Sequence, residues 1–163
     1  MTDKTGTSER IQSEMDSLGV SDYTGYLIRR AQQAHVAAWQ QEVSAEFTSV
    51  QFGVLNVLFR TPGASQRDLC AQLDLDRSTI ADIMVRLERR GIIERIRDVG
   101  DKRRNVLHLT AEGLMEFEAL LPLVARVDEV LTGGLVAADR GELRRILKSL
   151  LDQPPSSGSP DSA

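Results

Sequence analysis

The sequence predicts a mainly α-helical fold that carries one small β-hairpin. Three observations predict it. Residues 64–110 read as two short helices, a hairpin and a basic loop. That stretch opposes the whole chain in charge: from Arg77 to Arg104, nine arginines and lysines stand against five acids, a net +4, whereas the 163 residues together carry −4. Apolar-periodic segments flank it on both sides, at 22–43 and 111–151. A cationic island on an acidic protein is what a local phosphate-binding surface needs.

The elements follow in order. Residues 1–21 are polar, with a weak helical pattern at Arg10–Leu18, and read as a flexible arm. Residues 22–43 form a long helix with Tyr26, Leu27, Ala31, Ala34, Ala38 and Trp39 on or near its apolar side. Thr48 and Gln51 have capping-box spacing and open a helix through Phe59, which Thr61-Pro62-Gly63 ends. Ser65 caps the next helix, with Asp68 near the positive end of its dipole. Leu69, Cys70 and Leu73 are its apolar side.

Asp76 then caps a helix from Arg77 to Arg90. Ile80, Ile83, Met84 and Leu87 fall on one stripe of it. At about 100° per residue, Ser78, Asp82, Val85 and Arg89 point away from that stripe, flanked by Thr79 and Arg86. Short polar groups and arginines on that outer face allow it to enter a major groove without a bulky clash. Gly91 is the expected stop. Residues 92–97 and 104–109 read as the two strands, with Leu107 and Leu109 on the buried face and His108 facing outward. Between them Asp101, Lys102, Arg103 and Arg104 make a cationic tip, suited to the phosphate backbone or a narrow minor groove. Thr110 caps a helix to about Leu131, Gly133-Gly134 breaks it, and a capping box at Asp139–Glu142 opens a last helix to about Leu151. The Pro/Ser-rich residues 152–163 have nothing to bury and read as disordered.

Composition limits the function classes. One domain of about 100–200 residues is the ordinary expectation for this length. An apolar content of 41% is enough for a core, yet no run approaches the ~18 consecutive apolar residues of a membrane helix. The first residues lack the apolar core of a signal peptide. One cysteine rules out an internal disulfide framework and fits a cytoplasmic protein. Two histidines, His35 and His108, are too few for a convincing metal site. Phosphate loops, nucleophile elbows and metal-ligand clusters are missing from the sequence, so neither an enzyme nor a cofactor is expected.

Residues 64–110 closely resemble the winged helix-turn-helix of the MarR family of bacterial transcription regulators. The resemblance is carried by Gln66-Arg67-Asp68-Leu69, Leu75-Asp76-Arg77-Ser78-Thr79 and Arg86-Leu87-Glu88-Arg89-Arg90-Gly91. It is carried most specifically by Asp101-Lys102-Arg103 ahead of Leu107-His108-Leu109-Thr110. It extends over roughly 22–151 and implies one domain: a winged helix at about 48–110 and dimerisation helices at about 22–43 and 111–151. It implies that Gln66, Arg67, Arg77, Ser78, Thr79, Asp82 and Arg86 face DNA. Arg103 would be the wing-tip arginine, held by Asp101, with Lys102 and Arg104 beside it. Arg89 and Arg90 have an equally good structural role as complements of a helix C-terminus, and Asp82 as an i, i+4 partner of Arg86.

The outer helices carry more apolar surface than one winged helix covers, including Leu120, Leu121, Val127, Val130, Leu143, Ile146, Leu147 and Leu150. Dimerisation is the simple answer. The resemblance implies interlocked terminal helices and a pseudo-palindromic double-stranded operator with half-sites about one helical turn apart. Oxidation-sensing members place a reactive cysteine near the start of the first long helix, where this chain has none. Cys70 therefore reads as an inert buried thiol without a basic neighbour.

Tyr26, Arg29, Arg30, His35 and Trp39 put cations and aromatics on the first helix. Members responding to aromatic carboxylates resemble this chain in an Arg followed six residues later by a His, here Arg29 and His35. The segments GYLIRRAQQAH and TSVQFGVLNVL look like the branch controlling breakdown of aromatic acids or their CoA thioesters. An arginine can hold a carboxylate bidentately and a histidine can hydrogen-bond a ring substituent. Equally, these residues can be structural: a dimer salt bridge and a satisfied core histidine. The expectation is a homodimeric repressor released by a small aromatic acid or thioester. The alternative is an effector-independent architectural or protein-interaction module.

Overall fold

Among the described residues, four of the six helices begin on a polar side chain that the sequence places at the right spacing. The computed structural model describes residues 19, 22–97, 100 and 105–152. The expected arm, the wing-tip residues 101–104 and the tail from 153 onward lie outside the described residues. In chain order the elements are α1 (Thr24–Glu42), α2 (Ser49–Arg60), α3 (Gln66–Leu73), α4 (Arg77–Arg89), β1 (Ile93–Arg97), β2 (Asn105–Leu109), α5 (Ala111–Thr132) and α6 (Ala137–Leu151). The fold is mainly helical with a two-stranded antiparallel hairpin.

The caps are reciprocal where the sequence allows it. Thr48 Oγ1 accepts from the Gln51 N–H at 3.2 Å, and Gln51 Oε1 accepts from the Thr48 N–H at 2.9 Å. Ser65 and Asp68 repeat this arrangement at the start of α3. Asp76 Oδ1 accepts from the Thr79 N–H at 2.9 Å. Thr110 Oγ1 accepts from the Gly113 N–H at 3.0 Å and donates to the Gly91 carbonyl at 2.6 Å. Each such cap satisfies donors that a helix start would otherwise leave unpaired.

The core sits where α2, α3, α4, the hairpin and α5 converge. Val54, Leu55, Leu69, Ile80 and Leu87 are fully buried there, with Leu107 and Phe117 each 2% exposed. The stripe Ile80–Ile83–Met84–Leu87 is buried as its spacing predicts. A smaller cluster of Ala38, Trp39 and Val127 joins α1 to α5. The Glu42–Arg126 ion pair at 2.8 Å fastens the same contact.

Two glycines shape the junction of α4, β1 and α5. Gly91 has φ +70°, the left-handed conformation that turns α4 into β1. At Gly113 an added Cβ would fall 1.9 Å from the Ile92 carbonyl oxygen, so the first turn of α5 lies directly on the backbone entering β1.

Several sequence expectations are corrected. α6 starts at Ala137, after an extended Val136 that makes no side-chain cap, so Asp139 lies in the first helical turn instead of at the cap. An acid suits either place because the positive end of the dipole favours both. Leu107 and Leu109 do not form the whole buried face of β2. Val106 and Leu107 are the buried pair and Leu109 is half-buried. Ala64 pairs with Leu107 on the hairpin's other edge, which brings the turn at Gly63 against Val106 and His108. On α1, Leu27, Ala31 and Ala34 are exposed and only Ala38 and Trp39 are buried, because the first half of the helix runs beyond its own chain's core. Leu120 and Val127 are buried within the chain, so they are not available to a partner.

Candidate functional site

The outer face of α4 gathers five of the seven described residues that the sequence assigns to DNA. Arg77, Ser78, Asp82 and Arg86 are exposed and Thr79 is half-buried. Val85 shares this face and is 57% exposed. The helix is held at its N-terminus by Asp76, which takes hydrogen bonds from the hydroxyls of Ser78 and Thr79 as well as from the Thr79 N–H. These donors hold the Asp76 carboxyl far below the usual aspartate range, the Ser78 hydroxyl first among them. Because the Ser78 hydroxyl donates its hydrogen to Asp76, its oxygen remains available as an acceptor.

α3 is tied to this end of α4. Gln66 Nε2 donates to the Arg77 carbonyl at 3.1 Å. Gln66, Arg67, Arg77, Arg95 and Asn105 share an open cleft between the helix pair and the hairpin. Arg67 and Arg77 bring positive charge to this cleft. Arg95 also closes a two-point contact with Glu88, at 3.0 and 3.2 Å, which fixes β1 against α4. Cys70 is half-buried and lines a cleft with Arg67 and Arg77. The expectation of a buried thiol is therefore corrected to a half-buried one.

A second concavity lies between α1 and the start of α2. It holds about 180 Å³ and is lined by His35, Val36, Trp39, Phe47, Thr48 and neighbouring residues. His35 and Trp39 have ring centroids 6.0 Å apart. Trp39 is buried and its Nε1–H donates to the Phe47 carbonyl at 2.6 Å. Tyr26, Arg29 and Arg30 are gathered elsewhere on α1. Both guanidinium groups lie over the Tyr26 ring, at 5.5 and 5.9 Å, and Arg30 donates to the Tyr26 hydroxyl at 3.2 Å. In the single chain they do not line the cleft that holds His35 and Trp39. Six residues on a helix amount to about 240° of rotation at 100° per residue, which turns Arg29 away from His35.

Arg90 acquires a contact that its sequence neighbours do not reveal. It donates to the Glu46 carbonyl at 3.4 Å and lies 5.1 Å from the Phe47 ring centroid. No cluster of three or more metal-ligating side chains occurs among the described residues. Among them, no helix is long and apolar enough to cross a membrane.

The MarR family pattern matches residues 46–104. The chain is 31% identical over 140 residues to the HTH-type transcriptional repressor NicR of Pseudomonas putida, spanning 85% of this chain and 89% of that one. It is similar to the PcaV transcriptional regulator from Streptomyces coelicolor, solved in complex with its natural ligand. That match has 39% identity, 83% and 96% coverage of the two chains and a TM-score of 0.78. It is also similar to BpsR of Bordetella bronchiseptica, whose DNA binding is regulated by 6-hydroxynicotinic acid. Here identity is 29%, coverage 84% and 99%, and the TM-score 0.80. With this architecture, this basic helix face and these relatives, the chain belongs to the MarR family of winged-helix transcription regulators.

Proposed function

We propose that the chain is a homodimeric, sequence-specific repressor that releases double-stranded DNA when a small aromatic carboxylate or aromatic thioester binds. The observation that carries the DNA reading is the outer face of α4, where Arg77, Ser78, Asp82, Val85 and Arg86 are exposed while the opposite stripe is buried. Arg77 and Arg86 are donors for guanine or phosphate. Ser78 is an acceptor for an exocyclic amine. Gln66 and Arg67 lie beside the adjacent backbone, with Thr79 and Asp82 on the reading face. Asp101, Lys102, Arg103 and Arg104 are assigned to the wing, with Arg103 at the neighbouring minor groove.

Dimerisation is supported by α6. None of its residues is buried within its own chain, and Leu143, Ile146, Leu147 and Leu150 are 37–49% exposed. The effector reading is supported by the cleft at His35 and Trp39 and by what regulates BpsR, a ring that bears a carboxylate. In this reading His35 and Trp39 receive the ring. Tyr26, Arg29 and Arg30 lie off this cleft within one chain, so in this reading they supply the charge for the carboxylate across the proposed dimer, with Arg29 as its main partner.

The test is selection of duplexes from a random pool, followed by titration of the selected complex. The titrants are 6-hydroxynicotinic acid and a panel of aromatic acids and their CoA thioesters. A selected duplex is expected, and at least one compound should lower its affinity. Arg103→Ala should cost on the order of 1–3 kcal/mol of DNA binding. Arg29→Ala should retain DNA binding and lose the response. A pool without enrichment would refute the DNA reading. An enriched duplex that no compound releases would leave the effector-independent alternative.

A further inference from the structure

The turn between α1 and α2 touches both the cleft and the recognition helix. Its residues Ser44, Ala45, Phe47 and Thr48 line the cleft beside His35 and Trp39. From the cleft side it is held by Trp39, whose indole N–H donates to the Phe47 carbonyl. From the other side it is held by Arg90, which donates to the Glu46 carbonyl and covers the Phe47 ring. Arg90 and Glu46 are 44 positions apart in the chain, so this grip is tertiary. Phe47 is 2% exposed, and a close-packed ring cannot follow one wall without pressing on the other.

Arg90 is the C-cap of α4, and its backbone N–H still bonds the Arg86 carbonyl at 3.1 Å. It therefore moves with the last turn of the recognition helix. That helix has 13 residues and is about 20 Å long at 1.5 Å per residue. A displacement at its C-terminal end reorients the N-terminal turns that carry Arg77 and Ser78.

We propose that Arg90 is a positioning residue that couples the cleft to the recognition helix through Glu46 and Phe47. Occupancy of the cleft shifts Trp39 and the turn, the turn shifts Arg90, and Arg90 shifts α4. The proposal rests on reading the cleft as the effector site and α4 as the DNA reader. Linkage makes the path reciprocal, so seating α4 on DNA must be felt at Trp39. Trp39 is the chain's only tryptophan, so its emission reports the cleft end of the path without any effector present.

The experiment titrates the full chain with a duplex selected from a random pool and follows Trp39 emission. The wild type should show a saturable change in emission with that duplex and none with a scrambled duplex at the same concentration. Arg90→Ala should bind the selected duplex and lose the change. Arg90→Lys, which keeps a cation over Phe47, should recover part of it. Flat wild-type emission at saturating duplex would overturn the proposal, as would an Arg90→Ala response equal to wild type. Should Arg90→Ala fail to fold, the wild-type titration and Arg90→Lys decide. A chain that binds no duplex would refute the DNA reading and the proposal together, whereas tight binding with unmoved emission refutes the proposal alone.

Discussion

The winged helix and the terminal helix α6 are built on opposite principles. In the winged helix, Leu69, Ile80 and Leu87 are fully buried and α2, α3 and α4 each begin on a side-chain cap. In α6 no residue is buried, the N-cap makes no side-chain hydrogen bond, and Ile146 and Leu150 are 49% and 44% exposed. One region is complete within a single chain. The other carries the apolar pattern of a core element without a core to join. An apolar helix stripe is stable only against another surface, so the two regions differ in what finishes them: the first is closed by its own sequence, and the second is left open for the proposed second copy.

The largest expected effect breaks the second region alone. Ile146→Asp combined with Leu150→Asp places two carboxylates in the proposed interface, where the desolvation penalty is of order several kcal/mol per ion. Sedimentation should show a monomer. The melting of the winged helix should survive. Loss of the entire fold would mean that the first region is not self-sufficient.

A change in the first region should be nearly as costly and differently distributed. Leu87→Ala removes a fully buried side chain and should cost about 2–5 kcal/mol in urea denaturation, since the surroundings collapse only partly into the cavity. A cost well under 1 kcal/mol would show that α4 is loosely seated.

The smallest effect sharpens the contrast in capping. Asp76→Ala should lower the melting temperature of the chain modestly. Its pH dependence follows from the depressed Asp76 pKa, caused chiefly by the Ser78 and Thr79 hydrogen bonds. A depressed carboxylate contributes stability that is fully present above the unfolded-state pKa, about 3.9 for Asp. That contribution is lost as the pH falls from there through the folded value. The stability gap between wild type and Asp76→Ala should therefore stay constant from neutral pH to about 4 and close below it. A gap that closes between pH 7 and 5 would assign the effect to another group.

The same contrast explains what was legible in the sequence. Thr48–Gln51, Ser65–Asp68, Asp76 and Thr110 are signals spanning three or four residues, and the chain obeys them because helix starts are local problems. The start of α6 was misplaced by three residues because Asp139 satisfies a helix dipole as well from the first turn as from the cap. The bridge of Ala64 to Leu107, the seat of Arg90 on Glu46 and Phe47, and the closure of Gly113 on Ile92 join residues far apart in the chain. Periodicity carries no information about them. The reading face of α4 was legible because a buried stripe defines its opposite. The helical spacing alone separates Arg29 from His35, but which of the two faces the cleft was not legible, since the cleft depends on where the next helix turns back.

The closure at Gly113 has a mechanical consequence. With no side chain between α5 and the Ile92 carbonyl, and with Thr110 bonded to Gly91, there is no compressible layer at the base of the hairpin. The hairpin and the start of α5 are one rigid joint, and Pro122 in the middle of α5 interrupts the helix ladder beyond it. α5 has 22 residues and is about 33 Å long at 1.5 Å per residue. A pivot of roughly 5° at one end moves the other by about 3 Å at that length, close to the 3.4 Å advance per base along a DNA strand. Two such helices joined at their far ends would form a caliper, and a few degrees at its hinge would suffice to take one tip out of register with its base pairs.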